Sequence, residues 1–134
     1  MIITVPDIPR GPNSRNGLFR MHWRARKQYC ESWHWQIVAA LGGNVPMCGE
    51  LKSTVWIHQV RRRMLDTDNL YASCKPLLDS LQKTGVIFDD SPKWCDLRVT
   101  QEVGKPVRTL IEVIQGNYTE NMTKEKTCQP SLYQ

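Results

Sequence analysis

With 134 residues, 40% of them hydrophobic and 23% charged, the chain has the size and composition of one globular domain that buries a core without disulfide or zinc staples. No apolar run approaches the roughly 18 residues that span a bilayer, and MIITVPDIPRGPN lacks the basic start and long apolar stretch of a secretion signal, so a cytoplasmic protein is expected. The net charge of +5 is lopsided: residues 1–63 hold ten Lys/Arg against three Asp/Glu, whereas 64–134 hold eight against ten, a basic half suited to a polyanion or simply to water, and a half with clustered acids.

In chain order, residues 2–5 (IITV) read as a short strand. PDIPRGPNSRNG is too rich in Pro, Gly and Asn for regular structure and reads as a long loop carrying Arg10 and Arg15. Residues 21–41 read as a helix, because Cys30, Trp33, Ile37 and Leu41 form one stripe at three- and four-residue steps, and Gly42–Gly43 end it. Arg24, Arg26 and Lys27 sit in its first turns, where positive charge opposes the helix dipole, so another role or neighbouring acids must hold them there. Trp33 and Trp35 read as core, and His34 as structural.

Residues 51–63 read as a strand with Val55 and Ile57 on one face and Trp56, His58 and Val60 on the other; apolar residues on both faces suggest a central position. His58 fits a half-buried, hydrogen-bonded side chain, and Arg61, Arg62 and Arg63 emerge at the strand end. The stripe Leu70, Cys74, Leu77, Leu78, Leu81 predicts a helix over 69–83. Pro76 inside it requires either a kink near Ala72 or a start around Ser73 with the proline in the first turn, and Gly85 stops it. VIF (86–88) reads as a strand, DDSPK as a turn, and 94–103 and 107–114 as two strands joined at Gly104–Lys105–Pro106. The five cysteines form no C-x-x-C pair and read as reduced structural thiols. The expected fold is therefore α+β, one mixed sheet covered by two helices in the order β-α-β-α-β-β-β, within a single domain over 1–116 followed by a flexible polar tail over 117–134.

LDTDN (65–69) carries the chemistry of interest. Asp and Asn are preferred helix N-caps, but one cap explains only one of these residues; Asn69 is the better cap, and Asp66 is left without a capping job. If the chain stays extended through residue 66, the carboxylates of Asp66 and Asp68 share one side, a partial site for a hard cation such as magnesium. Asp89 and Asp90 could complete it if the VIF strand pairs beside the strand ending at Arg63; two unrelated acidic turns fit the spacing equally well. Lys75 lies seven residues from Asp68 and four from Asp79, on one helix face, placed to pair with Asp79 and to balance charge on a phosphate.

The stretch RRRMLDTDNLYASCKPLLDSLQKTGVIFDDS resembles the core of the RusA family of Holliday junction resolvases, in which a D-x-D-N motif precedes a helix bearing a lysine and an aspartate, and an Asp-Asp pair follows a short strand. PDIPRGPNSRNGLFR is similar to that family's Pro-rich, Asn-containing segment, and the resemblance extends over residues 1–114. It implies a nuclease domain that nicks four-way DNA junctions by phosphodiester hydrolysis. Asp66, Asp68 and Asp90 would be the catalytic acids holding magnesium (manganese a substitute), with Asp89 assisting or shaping the turn. Asn69 matches the motif asparagine and Lys75 the lysine, one turn later than the family pattern, where this chain has Ala72. Arg61, Arg62 and Arg63, with Arg15, Arg20, Arg24, Asn69 and Lys93, would contact the DNA. A four-way junction has approximate two-fold symmetry, so a homodimer is expected, with no membrane partner and no small-molecule cofactor. The alternatives are a branched-DNA binder that cleaves weakly or not at all, and an interaction domain whose acids are only caps and turns.

Overall fold

The computed structural model describes residues 1–15, 17–43 and 48–116. The expectations of a flexible tail and of a fifth reduced thiol, Cys128, fall outside them. β1 (Ile2–Val5) leads through the loop over 6–17 and a 3-10 turn (Leu18–Arg20) into α1 (Trp23–Leu41). β2 (Ser53–Arg61), α2 (Thr67–Ser73), α3 (Lys75–Lys83), β3 (Cys95–Val103) and β4 (Arg108–Gln115) follow. The four strands form one mixed sheet in the order β1-β4-β2-β3, with β3 parallel to β2 and the other pairs antiparallel. β2 is interior, as its two apolar faces suggested.

Side-chain alternation places Ile3, Val5, Val55, Ile57, Val99, Ile111 and Val113 on one face of the sheet, all buried. α1 contributes Trp33, Ile37 and Leu41 to the same core, and the α2–α3 stripe contributes Leu70, Cys74, Leu77, Leu78 and Leu81. Both helical patterns read from the sequence are therefore the buried faces. Trp35 is not core: it lies off the stripe and is exposed. Gly42 adopts φ 63°, a left-handed C-cap that favours glycine, and its N–H returns to the Ala39 carbonyl.

Three parts of the topology differ from expectation. First, the helix over 69–83 is two helices meeting at Cys74, with Pro76 in the first turn of α3, where its missing N–H costs nothing. Secondly, VIF is not a strand. Val86 and Ile87 are buried, but both their N–H groups go to the Leu81 carbonyl at the end of α3, so they are spent on the helix terminus and unavailable to a ladder. Thirdly, β3 and β4 are consecutive but do not pair with each other; each pairs with β2, on opposite sides. The connection between them passes the end of β2, where the Gly104 N–H donates to the Arg61 carbonyl at 2.9 Å.

The loop over 6–17 is held from several directions. The Thr109 hydroxyl donates to the Asp7 carbonyl (2.7 Å), the Arg10 N–H to the Tyr29 hydroxyl (2.8 Å), and Arg61 to the Pro9 carbonyl (2.7 Å). Within the loop, Ser14 N–H returns to the Gly11 carbonyl and Phe19 N–H to the Pro12 carbonyl. Rich in turn residues, the segment is nonetheless built into the fold.

Candidate functional site

Helix α2 starts one residue after Asp66, which occupies its N-cap position with extended backbone (φ −61°, ψ 152°) yet makes no side-chain capping bond. The helix boundary thus lies earlier than expected, and Asn69 is inside α2 rather than capping it. Asp66 and Asp68 are exposed, and their carboxylates have no hydrogen-bond partner among the described residues. Asn69 Oδ1 accepts from Asn13 Nδ2 at 3.0 Å, fastening the N-terminal loop to the first turns of α2.

Lys75, the first residue of α3, links two acids. Its Nζ lies 2.6 Å from Asp90 Oδ2 and 3.1 Å from Asp79 Oδ1. The Asp79 pair is the four-residue helical pair expected; the Asp90 pair spans fifteen residues and is made by the fold. The hydrogen bond to Asp90, and secondarily Asp79, raise the Lys75 pKa above its ordinary value against a partial opposing effect of burial, so the ammonium stays charged through neutral pH. Asp89 shapes the turn: its Oδ1 accepts from the Asp90 N–H and its Oδ2 from the Ser91 hydroxyl, both at 2.9 Å.

The pairing that was to carry Asp90 toward Asp66 is absent, because 86–88 is not a strand and β2 is flanked by β3 and β4. Asp66 and Asp68 stand at the start of the α2–α3 crossover, whereas Asp90 joins it at Lys75. Seven helical residues correspond to about 10 Å of rise, and the step from Asp68 to Lys75 crosses the break at Cys74, so the shared-face argument for those two residues no longer holds. Among the described residues, no group of three His, Cys, Asp or Glu side chains stands close enough to hold a metal ion. In donor chemistry the acids suit a hard divalent cation: Asp66 and Asp68 are uncommitted, and Asp90 pairs through Oδ2 alone.

The basic residues divide into two groups. Arg15 and Arg20 line a cleft of about 490 Å³ with Arg10, Gln28, Tyr29 and Ser32, and Arg24 lies over the Trp23 ring at 5.2 Å. Arg62 and Arg63 are exposed, and the Lys93 ammonium sits 5.2 Å from the Trp94 ring centre. Arg15, Arg20, Arg24, Arg26 and Lys27 make no ion pair among the described residues, so no acid there offsets the positive charge at the start of α1. Arg61 corrects the expectation of a solvated phosphate contact. It shares the core-facing parity of Val55, Ile57 and Gln59 and is only 7% exposed. Its Nη1 donates to the Pro9 carbonyl and, at 2.6 Å, to Gln59 Oε1.

Gln59, which sequence reasoning passed over, continues that buried chain: its Nε2 donates to Ser73 Oγ (3.1 Å) and Cys74 Sγ (3.2 Å) at the α2–α3 break. The only sequence signal was a polar residue on the apolar parity of β2. Burial pushes the Cys74 thiol from 9.0 up to about 12. The neutral thiol is the form the fold favours, so its contribution is fully present below pH 9 and lost as the pH climbs through about 12. Urea unfolding should show little change from pH 7 to 9 and falling stability from pH 9 to 11, with a shallower decline in Cys74→Ala; an unchanged decline in that variant would refute the assignment. On the other sheet face, His58 is held as expected, with Nδ1 2.7 Å from Thr100 Oγ1 and Nε2 3.0 Å from Glu102 Oε1; His34 Nδ1 meets Ser80 Oγ at 3.1 Å.

These elements define a small mixed α+β protein with a right-sized core, a cationic N-terminal cleft and acids strung along one β-α-β crossover. Compared with known proteins, the chain matches no family model and no curated protein. No helix among the described residues is long and apolar enough to cross a membrane.

Proposed function

We propose that the protein is a magnesium-dependent endodeoxyribonuclease that cuts four-way DNA junctions by paired symmetric nicks, acting as a homodimer. The observation that carries this is the Lys75–Asp90 pair, which ties the helix following the D-x-D-N segment to the distant Asp-Asp turn. Asp66, Asp68 and Asp90 would hold magnesium, with manganese a substitute; the ion would supply a water nucleophile at neutral pH and charge for the leaving oxygen. Asp90 is held by Lys75 against the start of α3, and the Lys75 ammonium offsets charge on the cleaved phosphate. Arg15, Arg20, Arg24, Arg62, Arg63 and Lys93 would supply the positive charge that DNA requires.

A second reading has its own support: Lys75 is engaged by two carboxylates, and the acids are not gathered into a three-ligand group among the described residues. On that reading the protein binds branched DNA and cleaves it weakly or not at all. A labelled synthetic four-way junction, incubated with magnesium or with EDTA, separates the two. Paired nicks that need magnesium support the nuclease. Tight, junction-selective binding with no nicks under any divalent ion supports the binder. Equal affinity for plain duplex sinks both.

The cationic cleft gives a separate expectation. Each phosphate contact contributes close to one unit to the salt slope of DNA binding. Arg15→Gln combined with Arg20→Gln should therefore flatten the dependence of log K on log salt by about 2, measured by fluorescence anisotropy. An unchanged slope would remove these two arginines from the DNA surface.

A further inference from the structure

The helices α1, α2 and α3 pack their buried residues against the strand face that carries Val55, Ile57 and Ile111. The opposite face of the sheet bears no helix among the described residues. It is not the polar surface that a solvated sheet face usually presents. Trp56 and His58 lie along its centre on β2, with Leu110 and Ile114 beside them on β4, all four partly exposed. Ile2, 70% exposed, extends the apolar surface onto β1.

The register orders the charges of this face. One row across the sheet, from β4 through β2 to β3, reads Glu112, Trp56, Arg98. A second row, four residues further along β2, reads Arg108, Val60, Glu102. The sign reverses across β2 and reverses again between the rows. Two of these groups also have local bonds: Glu102 meets His58 Nε2 at 3.0 Å, and Arg108 Nη1 donates to the Pro106 carbonyl at 3.0 Å. Such a pattern complements itself. A two-fold axis parallel to β2, between two facing sheets, lays β2 over its copy and exchanges the β4 and β3 sides. Glu112 then opposes Arg98 of the second copy, Arg108 opposes Glu102, and Trp56 meets its own copy. A two-fold axis perpendicular to β2 also matches the charges, but it sets Trp56 on Val60, which is only 2% exposed. The parallel axis therefore buries more apolar surface.

We propose that this open sheet face packs against the same face of a second copy, about a two-fold axis parallel to β2. Strand and residue spacings give the face an area of about 500 Å², so two copies bury about the 1,000 Å² that a specific interface must clear. Facing sheets stand about 10 Å apart, a gap that an arginine and a glutamate reaching toward each other close. The acids Asp96, Glu102 and Glu112 make the face a poor match for a polyanion, and charges of both signs between the apolar residues make it a poor match for lipid. The nuclease reading asks for two copies, but the choice of surface rests on the sheet and not on that reading.

Sedimentation velocity of the full chain should show a dimer that dissociates on dilution. Glu112→Arg and Arg98→Glu should each weaken it by at least about tenfold, because like charges then face each other across the interface. An equimolar mixture of the two variants should dimerise as the parent does. In the mixed pair the two introduced charges face each other, and so do the two native ones. Recovery on mixing cannot come from a contact within one chain or from misfolded variants. A parent that stays monomeric, or single variants as dimeric as the parent, overturns the surface. Variants that dissociate and do not recombine overturn the pairing about β2. Junction nicking is read on the same samples. A dimer that behaves as expected and never nicks leaves the surface standing and removes the nuclease, whereas nicking by a dimer indifferent to both variants removes the surface alone.

Discussion

Replacing Asp90 by asparagine is expected to reduce magnesium-dependent nicking of a four-way junction by on the order of 10²–10³-fold, with junction binding retained. Asparagine keeps the size of the side chain and removes the anion. Two consequences follow from one atom: on the proposed chemistry a cation would lose a charged oxygen ligand, and Lys75 loses the nearer of its two carboxylates, at 2.6 Å. Stability should change little, because the Lys75 side chain is 57% exposed and solvent-screened pairs contribute about 0–1 kcal/mol. Circular dichroism and urea midpoints close to the parent, together with lost nicking, separate chemistry from folding. Retention of nicking within a few-fold of the parent would show that Asp90 is only a structural partner of Lys75.

The largest expected loss of stability comes from Gly17→Ala. The backbone at Gly17 is ordinary extended chain (φ −81°, ψ 167°), so no dihedral strain is involved. The obstacle is space. A Cβ at this position would collide with the carbonyl oxygen of Gly11 and would stand 2.5 Å from that of Pro12, both of them backbone atoms with no rotamer to turn away. The loop must open to admit one methyl group, and overpacking of this kind costs about 1–3 kcal/mol or more. Opening strains the bonds from Asn13 to Asn69 and from Arg61 to Pro9, and it shifts the walls of the cleft lined by Arg15 and Arg20. Chemical denaturation should place the variant at least about 2 kcal/mol below the parent, with weakened DNA binding. A variant within 0.5 kcal/mol, roughly the scatter of a neutral surface change, would mean that the loop accommodates the methyl group freely.

The elements legible in the chain were those specified by local periodicity. The stripe of α1, the stripe running through α2 and α3, the central placement of β2 and the Lys75–Asp79 step all follow from residue spacing, because a helix face and a strand face are set by fixed rotations per residue. Even the break at Cys74 was half visible, since a proline cannot donate within a helix. Non-local competition decided the rest. VIF has the side chains of a strand, but its N–H groups were claimed by the end of α3. The segments over 94–103 and 107–114 look like a hairpin, but β2 outcompeted each for the other and separated them.

The same division runs through the candidate site. Asp66, Asp68, Asp90 and Lys75 could be picked out as residues whose types suit metal and phosphate chemistry, yet their mutual distances depend on which strand lies beside β2. Arg61 shows the limit most clearly. A run of three arginines reads as solvated charge; alternation along β2 sends the first of them inward, and only the packed loop over 6–17 supplies the Pro9 carbonyl that holds it there. Spacing along a chain fixes which way a side chain points, whereas what it meets is decided by segments far away in sequence, brought up by burial of the shared core.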